Sequence, residues 1–202
     1  MSINLQKGQK IDLTKGGIGL KHIMVGLGWD EAKRSGSDGG FFGLFKAKPQ
    51  DIDCDASAIL CDSNGKYMDL VYYRNLQLSD GSIVHQGDNL TGAGEGDDEV
   101  IIIDFSKVPD EIQKIAICVS IYDESKRLTF GQVSNAFVRV AKLSNEFDTV
   151  GEDQLRFDLG EEFSIETAVL VCEIYRYNGE WKFNAVGAGY SGGLEALVNK
   201  YH

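Results

Sequence analysis

Two acidic clusters in this 202-residue sequence have the residue types and spacing that suit metal binding. The longer cluster is the segment Gly87–Glu99 (GDNLTGAGEGDDE), which lies in a stretch of 32 residues with seven acidic side chains and no Lys or Arg. So many carboxylates repel one another unless a cation lies among them. The alternating glycines let the backbone turn and direct its carbonyl oxygens inward. Because hard divalent cations take oxygen ligands, and calcium accepts a flexible loop more readily than magnesium does, this segment predicts a calcium site.

The second acidic cluster is the segment 51–57 (DIDCDAS). Alternate side chains of a strand share a face, so we expect Asp51, Asp53, Asp55 and Ser57 to point one way and the residues between them to point into the core. The spacing resembles the opening of an EF-hand loop, but the required Gly is absent and no helices flank the segment. We therefore exclude an EF-hand.

The two clusters together predict a set of metal ligands. The expected first ligands are Asp53, Asp55, Asp88, Asn89 and Glu99. This site or a neighbouring one would be completed by three further acids and three backbone carbonyls: Asp30, Asp97, Asp98, and Leu90, Gly92, Gly94. Two adjacent calcium ions sharing carboxylates explain this number of ligands better than one ion. The alternative is that the acidic, glycine-rich loops are solvated turns.

The composition bounds the class of protein. A formal net charge of −11 and a pI near 4.7 argue against nucleic acid as a partner, because its phosphates would be repelled. The sequence shows neither the apolar run of a secretory signal nor a stretch long enough for a membrane span, so we expect a cytoplasmic protein. Cys54, Cys61, Cys118 and Cys172 stand in apolar runs without metal-ligand spacing, which favours reduced cysteines in or near the core over a disulfide or a zinc site.

Most apolar segments are short and rich in Val, Ile, Tyr and Phe, which favours strands. The predicted strands are Ile3–Leu5, Ile11–Leu13, His22–Gly28, Ile52–Asp62, Val71–Tyr73, Val84–His85, Glu99–Phe105, Lys114–Tyr122, Asn135–Lys142, Gln154–Asp158, Ala168–Tyr177 and Trp181–Gly189. Asn178-Gly179, between two aromatic-rich strands, is the strongest hairpin signal. Short helices are predicted at Pro109–Gln113, Phe130–Val133 and Gly193–Lys200.

This pattern predicts an all-β fold, a β-sandwich of two mainly antiparallel sheets with a few short helices, in one domain over residues 1–202. A faint internal repeat accompanies it, because Ile23–Asp30 (IMVGLGWD) resembles Ala116–Asp123 (AICVSIYD) at an offset of 93 residues. Each ends in an aromatic residue followed by Asp. We infer two related halves packed as one sandwich, of which the first keeps the dense acidic loops.

Several motifs in a fixed order give the chain a resemblance to the TerD family of tellurite-resistance and general stress proteins. They are Leu5–Leu13 (LQKGQKIDL), Val25–Asp30 (VGLGWD), Asp51–Ala58 (DIDCDASA), His85–Gly92 (HQGDNLTG), Gly96–Glu99 (GDDE), Phe130–Ala136 (FGQVSNA) and Trp181–Phe183 (WKF). The resemblance implies a calcium-binding β-sandwich in the bacterial cytoplasm, encoded beside partner proteins, some of them at the membrane. The ligand positions that it implies are Asp53, Asp55, Asp88, Asn89 and Glu99. The chain departs from many relatives in having Cys54 where they carry Leu or Phe.

A second departure is the segment Lys33–Gln50, which is long for the strand connection that it makes and is interpreted as a loop insertion at about 33–50. It contains Phe41-Phe42-Gly43-Leu44-Phe45 among Lys and Arg residues. These large apolar side chains could dock a partner protein or touch the inner face of an anionic membrane, and the alternative is a flap folded over the sandwich.

No catalytic motif is recognisable. His22, His85 and His202 do not form a zinc-binding spacing, and the Gly92–Gly96 run precedes a strand rather than the helix of a phosphate-binding loop. We expect no enzyme but a calcium-dependent binding or scaffold protein of a stress response, with no small-molecule substrate evident. Two alternatives are a calcium-dependent carbohydrate-binding module, which predicts an exposed aromatic platform, and a metal-dependent hydrolase, which predicts a His or Glu base over a cleft.

Overall fold

The fold was analysed in a computed structural model, which describes residues 3–14, 19–30, 52–87, 96–122, 128–145, 148, 151–159 and 163–202. Twelve strands and one helix occur in these ranges. In chain order they are β1 (Ile3–Asn4), β2 (Lys10–Asp12), β3 (His22–Asp30), β4 (Cys54–Cys61), β5 (Tyr67–Val71), β6 (Ile83–His85), β7 (Glu99–Asp104), β8 (Lys114–Ile121), β9 (Ser134–Leu143), β10 (Glu152–Asp158), β11 (Ala168–Tyr177), β12 (Glu180–Tyr190) and α1 (Gly193–Asn199).

The strands form two six-stranded sheets that pack face to face. The first sheet has the order β1-β10-β9-β3-β7-β6 and the second has the order β2-β12-β11-β8-β4-β5. β1 runs parallel to β10, and the other pairs of described strands are antiparallel. The prediction of an all-β sandwich with two mainly antiparallel sheets is thereby confirmed.

The strand order agrees with two related halves. β3 and β8, which carry the repeated sequence, are interior strands of opposite sheets. The two strands that follow each of them join the opposite sheet. β4 pairs with β8 and β5 pairs with β4, whereas β9 pairs with β3 and β10 pairs with β9. Each half therefore contributes a pair of strands to the sheet that is centred on the other half.

β4 shows how the alternation of side chains divides the interior into two layers. Ile52, Cys54, Ala56, Ala58 and Leu60 lie in the large apolar core between the sheets, as the sequence predicted. The side chains between them point to the outer face of the second sheet, where Leu197 of helix α1 and Tyr201 just after the helix cover a smaller apolar layer. Asp55 and Ser57 on that face are also buried, so no side chain of β4 is open to solvent.

Two local predictions are wrong. The strand predicted at Val71–Tyr73 is observed at Tyr67–Val71, because Tyr72 and Asn75 instead exchange backbone hydrogen bonds across a tight turn. The helix predicted at Pro109–Gln113 is a turn with the Ile112 N–H bonded to the Pro109 carbonyl at 3.1 Å. It cannot continue because the Gln113 N–H donates to the Cys61 carbonyl at the end of β4.

Other local predictions are confirmed. Tyr177 pairs with Glu180 around Asn178 and Gly179, whose φ angles of 53° and 76° are those of the tight hairpin turn that Asn-Gly favours. Phe130–Gln132 forms one 3-10 turn, and α1 occupies the predicted C-terminal helix. All four cysteines are free and buried. Among the described residues, no helix combines the length and the apolar character needed to cross a bilayer.

Candidate metal centre

The predicted ligands that the structure describes lie at one end of the sandwich, where β3 ends and β4 and β7 begin. They are Asp30, Asp53, Asp55, Asp97, Asp98 and Glu99. Asp88, Asn89, Leu90, Gly92 and Gly94 lie outside the described residues, as do Asp51, Asp123 and the loop insertion with Phe41–Phe45. No group of three His, Cys, Asp or Glu side chains in the described ranges is close enough together to hold a metal ion.

Glu99 reaches across the core to an open edge of the second sheet. β8 pairs with β4 over its whole length, but β5 pairs with β4 only at Ala58–Cys61. The Ala56 N–H lies beyond the end of β5, and it donates a hydrogen bond of 2.5 Å to Oε2 of Glu99. Because the Glu99 side chain is fully buried, this charge-assisted bond joins the two sheets inside the protein.

His85 lies against the same carboxylate. Its Nε2 is 3.5 Å from Oε2 of Glu99, and both side chains are fully buried. Its Nδ1 accepts a hydrogen bond of 3.2 Å from the Gly87 N–H. In a neutral imidazole that accepts at Nδ1, the proton is on Nε2 and faces Glu99. This contact places the His85 ring directly against a predicted ligand.

Asp98 is held by the backbone of β3. Its N–H donates to the Leu27 carbonyl at 2.7 Å, and its Oδ2 accepts from the Trp29 N–H at 2.9 Å, where the register of β3 shifts. Burial raises the pKa of the Asp98 carboxyl; the Trp29 hydrogen bond opposes this rise and the neighbouring Asp97 and Asp30 add to it. The indole N–H of Trp29 in turn donates to the Ile52 carbonyl at 3.1 Å, which ties β3 to the segment before β4.

Asp53 and Asp55 approach the same place from the second sheet. The Asp53 carbonyl accepts from the Tyr122 N–H at 2.9 Å, and Asp55 is only 3% exposed. Between them, the Cys54 thiol has a raised pKa, first because it is buried and then because Asp53, Asp55, Glu99 and Asp98 all act on it. The charges of four predicted ligands therefore act on one buried thiol at this end of the sandwich. A negative cluster of this kind is electrostatically costly without a cation.

Two predicted ligands have other partners. Both oxygens of Asp97 bind the Arg139 guanidinium, at 2.7 and 2.6 Å. Oδ2 of Asp30 accepts a hydrogen bond from the side-chain amide of Asn135. A role for either of them in metal binding stays a prediction.

Arg139 was missed by the sequence reasoning. It follows Asp97 by 42 residues, and no local spacing links the two. The available signal was the alternation of β9, in which the cationic Arg139 stands between the buried Val138 and Val140. That pattern places Arg139 on the outer face of the first sheet but does not identify its partner.

The comparisons with known proteins decide the family. The TerD domain family matches residues 1–201. The chain belongs to the TerD family. General stress protein 16U of Bacillus subtilis (strain 168) is 48% identical over 100% of this chain and 97% of its own length. The tellurium resistance protein TerD of Serratia marcescens is 45% identical over the same shares of the two chains.

The fold of the TerD-family chain is also that of a solved structure. A homologue of telluride resistance protein (TerD) from Streptomyces coelicolor A3(2) superposes with a TM-score of 0.67, covering 89% of this chain and 96% of that one. At 23% identity, this likeness shows the sandwich fold.

Proposed function

We propose that this TerD-family protein is a calcium-binding protein of a tellurite or general stress response, acting in the cytoplasm as a binding or scaffold module. The observation that carries the proposal is the position of four acidic residues, Asp53, Asp55, Asp98 and Glu99, at the end of the sandwich where β4 and β7 begin. The relatives named for general stress and tellurium resistance support the biological role.

The donor chemistry of this end of the sandwich fits calcium. Asp53, Asp55 and Glu99 supply carboxylates where β4 and β7 begin, and Asp88 and Asn89 lie three and four residues after His85 along the chain. All the donors are oxygen atoms, and two ions would neutralise the acids that otherwise repel one another. The calcium would order the acidic segment, and the ordered surface would bind a partner protein of a stress-resistance complex, at the membrane in some cases.

The histidines argue for binding rather than hydrolysis. A metal-dependent hydrolase needs a base that reaches a substrate. His85 is fully buried, His22 lies 3.4 Å from Asp104 at the opposite end of β7, and the His202 ring stacks on Tyr67. His85 contacts Glu99 from inside the core and the other two rings contact other residues, so none of the three is placed to act as a base on a bound substrate.

The aromatic residues near the acids argue against a sugar-binding platform. In the described part of the chain, Tyr72, Tyr73 and Tyr122 form a cluster, and Asp55 contributes to the raised pKa of Tyr73. Their rings meet at 77° and 90°. Stacking against a sugar needs a flat exposed face, and rings at right angles do not make one.

Isothermal titration of calcium into the chelator-stripped protein tests the proposal, with magnesium titrated in parallel. We expect two calcium sites with Kd in the sensor range of about 10⁻⁷–10⁻⁵ M. An Asp88→Ala variant should lose one or both. Asp110→Ala is the matched control, because it removes a carboxylate that is 99% exposed and 3.5 Å from Arg176 on another part of the surface. Absence of heat with both metals would refute calcium binding.

The partner surface has its own test. Replacing Phe41, Phe42, Leu44 and Phe45 together by Ser removes the large apolar side chains of the loop insertion. If that loop docks a partner or an anionic membrane, partner capture or co-sedimentation with anionic vesicles should fall. Unchanged results in both assays would contradict the docking hypothesis.

A further inference from the structure

We propose that Arg139 and Asp97 form a strap that fixes the end of the acidic segment to the first sheet, and that Asp97 serves this strap instead of binding calcium. The calcium part of this inference rests on the proposed function. The strap itself does not, because it is made by residues that pair without any metal.

The contact between the two side chains is bidentate. Nε of Arg139 donates to Oδ1 of Asp97 at 2.7 Å, and Nη2 donates to Oδ2 at 2.6 Å. The remaining guanidinium nitrogen, Nη1, binds Asp153 on β10. The Asp97 side chain is 7% exposed and that of Arg139 is 19% exposed, so water competes weakly for either group. The hydrogen bonds that Arg139 donates to Asp97 are the main cause of the raised pKa of Arg139.

The backbone of β3 is shaped to receive this contact. Gly26 is opposite Arg139 of β9 on one side and Val100 of β7 on the other. A Cβ atom at Gly26 would lie 2.3 Å from Cγ of Asp97, so the carboxylate rests directly on the strand backbone. Two residues later, a Cβ atom at Gly28 would lie 2.4 Å from the Gly96 carbonyl. These two glycines let the acidic segment approach β3 closely enough for Arg139 to reach it.

The three consecutive acids of the segment consequently have three different partners. Glu99 is bound to β4 through the Ala56 N–H, Asp98 to β3 through the Trp29 N–H, and Asp97 to β9 through Arg139. A cation already neutralises both oxygens of Asp97. Calcium would have to displace that cation to bind there, at the loss of two charge-assisted hydrogen bonds. Asp97 thus acts as a positioning residue, because its bond to Arg139 fixes the backbone two residues before the predicted ligand Glu99.

Asp97→Asn, Arg139→Gln and the double variant test the strap by calcium titration. We expect each single variant to weaken calcium binding by about tenfold, as loss of an orienting partner does, with the number of sites unchanged. The double variant should bind no more weakly than either single one. If Asp97 were a ligand, Asp97→Asn would remove a site, and Arg139→Gln would tighten binding by removing a competing cation. Either result would overturn the inference.

Urea unfolding of the same variants in chelator separates this inference from the proposed function. Arg139 also binds Asp153, so the two single variants lose different contacts, but a coupled pair predicts that the double variant loses less stability than the sum of the two single losses. Additive losses of stability would overturn the strap, whether or not the wild-type protein binds calcium. Arg156→Gln is the matched control, because Arg156 on the neighbouring strand β10 pairs with Asp158 at 2.7 Å and lies over the Phe137 ring. It should leave calcium affinity unchanged.

Discussion

Glu99 is the described residue at which the fold and the proposed metal site can be tested together. Its carboxylate accepts the Ala56 N–H at 2.5 Å from within the core. Two substitutions separate the negative charge of this carboxylate from its role as a hydrogen-bond acceptor. Glu99→Gln removes the charge and keeps an acceptor oxygen, whereas Glu99→Ala removes both. Because both variants lose the same negative charge, relief of repulsion among the carboxylates cancels when they are compared with each other.

The difference between the two variants in chelator measures the hydrogen bond to Ala56. Glu99→Ala leaves a buried N–H without its acceptor, which costs roughly 1–3 kcal/mol. For a domain of this size, 1 kcal/mol corresponds to a Tm change of about 2–4 °C. The alanine variant should therefore melt roughly 2–12 °C below the glutamine variant, and further still if the vacated space does not collapse.

The calcium-induced rise in Tm tests whether the negative charge of Glu99 contributes to calcium binding. At 100 times Kd, bound calcium adds roughly 2.7 kcal/mol to the free energy of unfolding at one site. Differential scanning calorimetry in chelator and at that calcium concentration gives the rise for each protein. We expect the wild type to show it and Glu99→Gln to lose most of it, since an amide oxygen carries no net charge to offer the cation. A full rise in the glutamine variant would refute Glu99 as a ligand, and equal Tm values for the two variants in chelator would refute the role of the Ala56 bond.

Three further predictions concern the scaffold. Gly26→Ala should lower the free energy of unfolding by about 1–3 kcal/mol, measured with urea, because the new Cβ overlaps Asp97. Asp104→Asn should destabilise the protein at neutral pH and not in acid. Burial alone would raise the pKa of Asp104, but two hydrogen bonds from Ser106, the charge of His22 and a hydrogen bond from Lys107 lower it overall. Cys118 and Cys172 should resist alkylation in the native protein, because burial raises their thiol pKa values.

The sign of the Asp104 effect follows from the direction of its shift. A carboxyl whose pKa is lowered by folding stabilises the protein above its unfolded pKa, about 3.9, and this stabilisation is lost as the pH falls through the folded pKa. The gap in Tm between wild type and Asp104→Asn should therefore be full at pH 7 and close in strong acid. A gap that is independent of pH would contradict this account.

The other two predictions have equally direct controls. Gly81→Ala is the comparison for strain alone, because Gly81 has a φ of 69° and no atom within 4 Å of its Cβ position. It should lose stability without changing calcium affinity, whereas Gly26→Ala should change both. For the cysteines, complete alkylation in denaturant shows that the thiols are reduced. Rapid modification of the native protein would contradict their burial.

The class of fold followed from local sequence patterns, because each pattern reflects contacts within a strand or a turn. Alternation in β4 correctly assigned Cys54 and Ala56 to the core, and Asn178-Gly179 correctly located the hairpin between β11 and β12. The exchange of strands between the two halves could not be derived in this way. It depends on backbone pairing between segments far apart in the chain, which leaves no trace in the spacing of residues.

The candidate site was predictable in its residue types and not in its internal partners. Acids and glycines identified the segment, but nothing near Glu99 in the sequence indicates the Ala56 N–H, which is available only because β5 ends early. Likewise, Arg139 and Asp97 are neighbours only because Gly26 of β3 lies opposite Arg139 and leaves room for the Asp97 carboxylate. Such contacts between strands determine which acids can bind a cation and which stabilise the fold.

The pairing of the first two strands has a consequence for how the chain folds during synthesis. Ile3 of β1 pairs with Leu155 of β10, and Ile11 of β2 pairs with Phe183 of β12. One edge of each sheet therefore pairs only after about 150 or more further residues have been made. Closing such long loops is slow, and unpaired strand edges on a nascent chain invite aggregation.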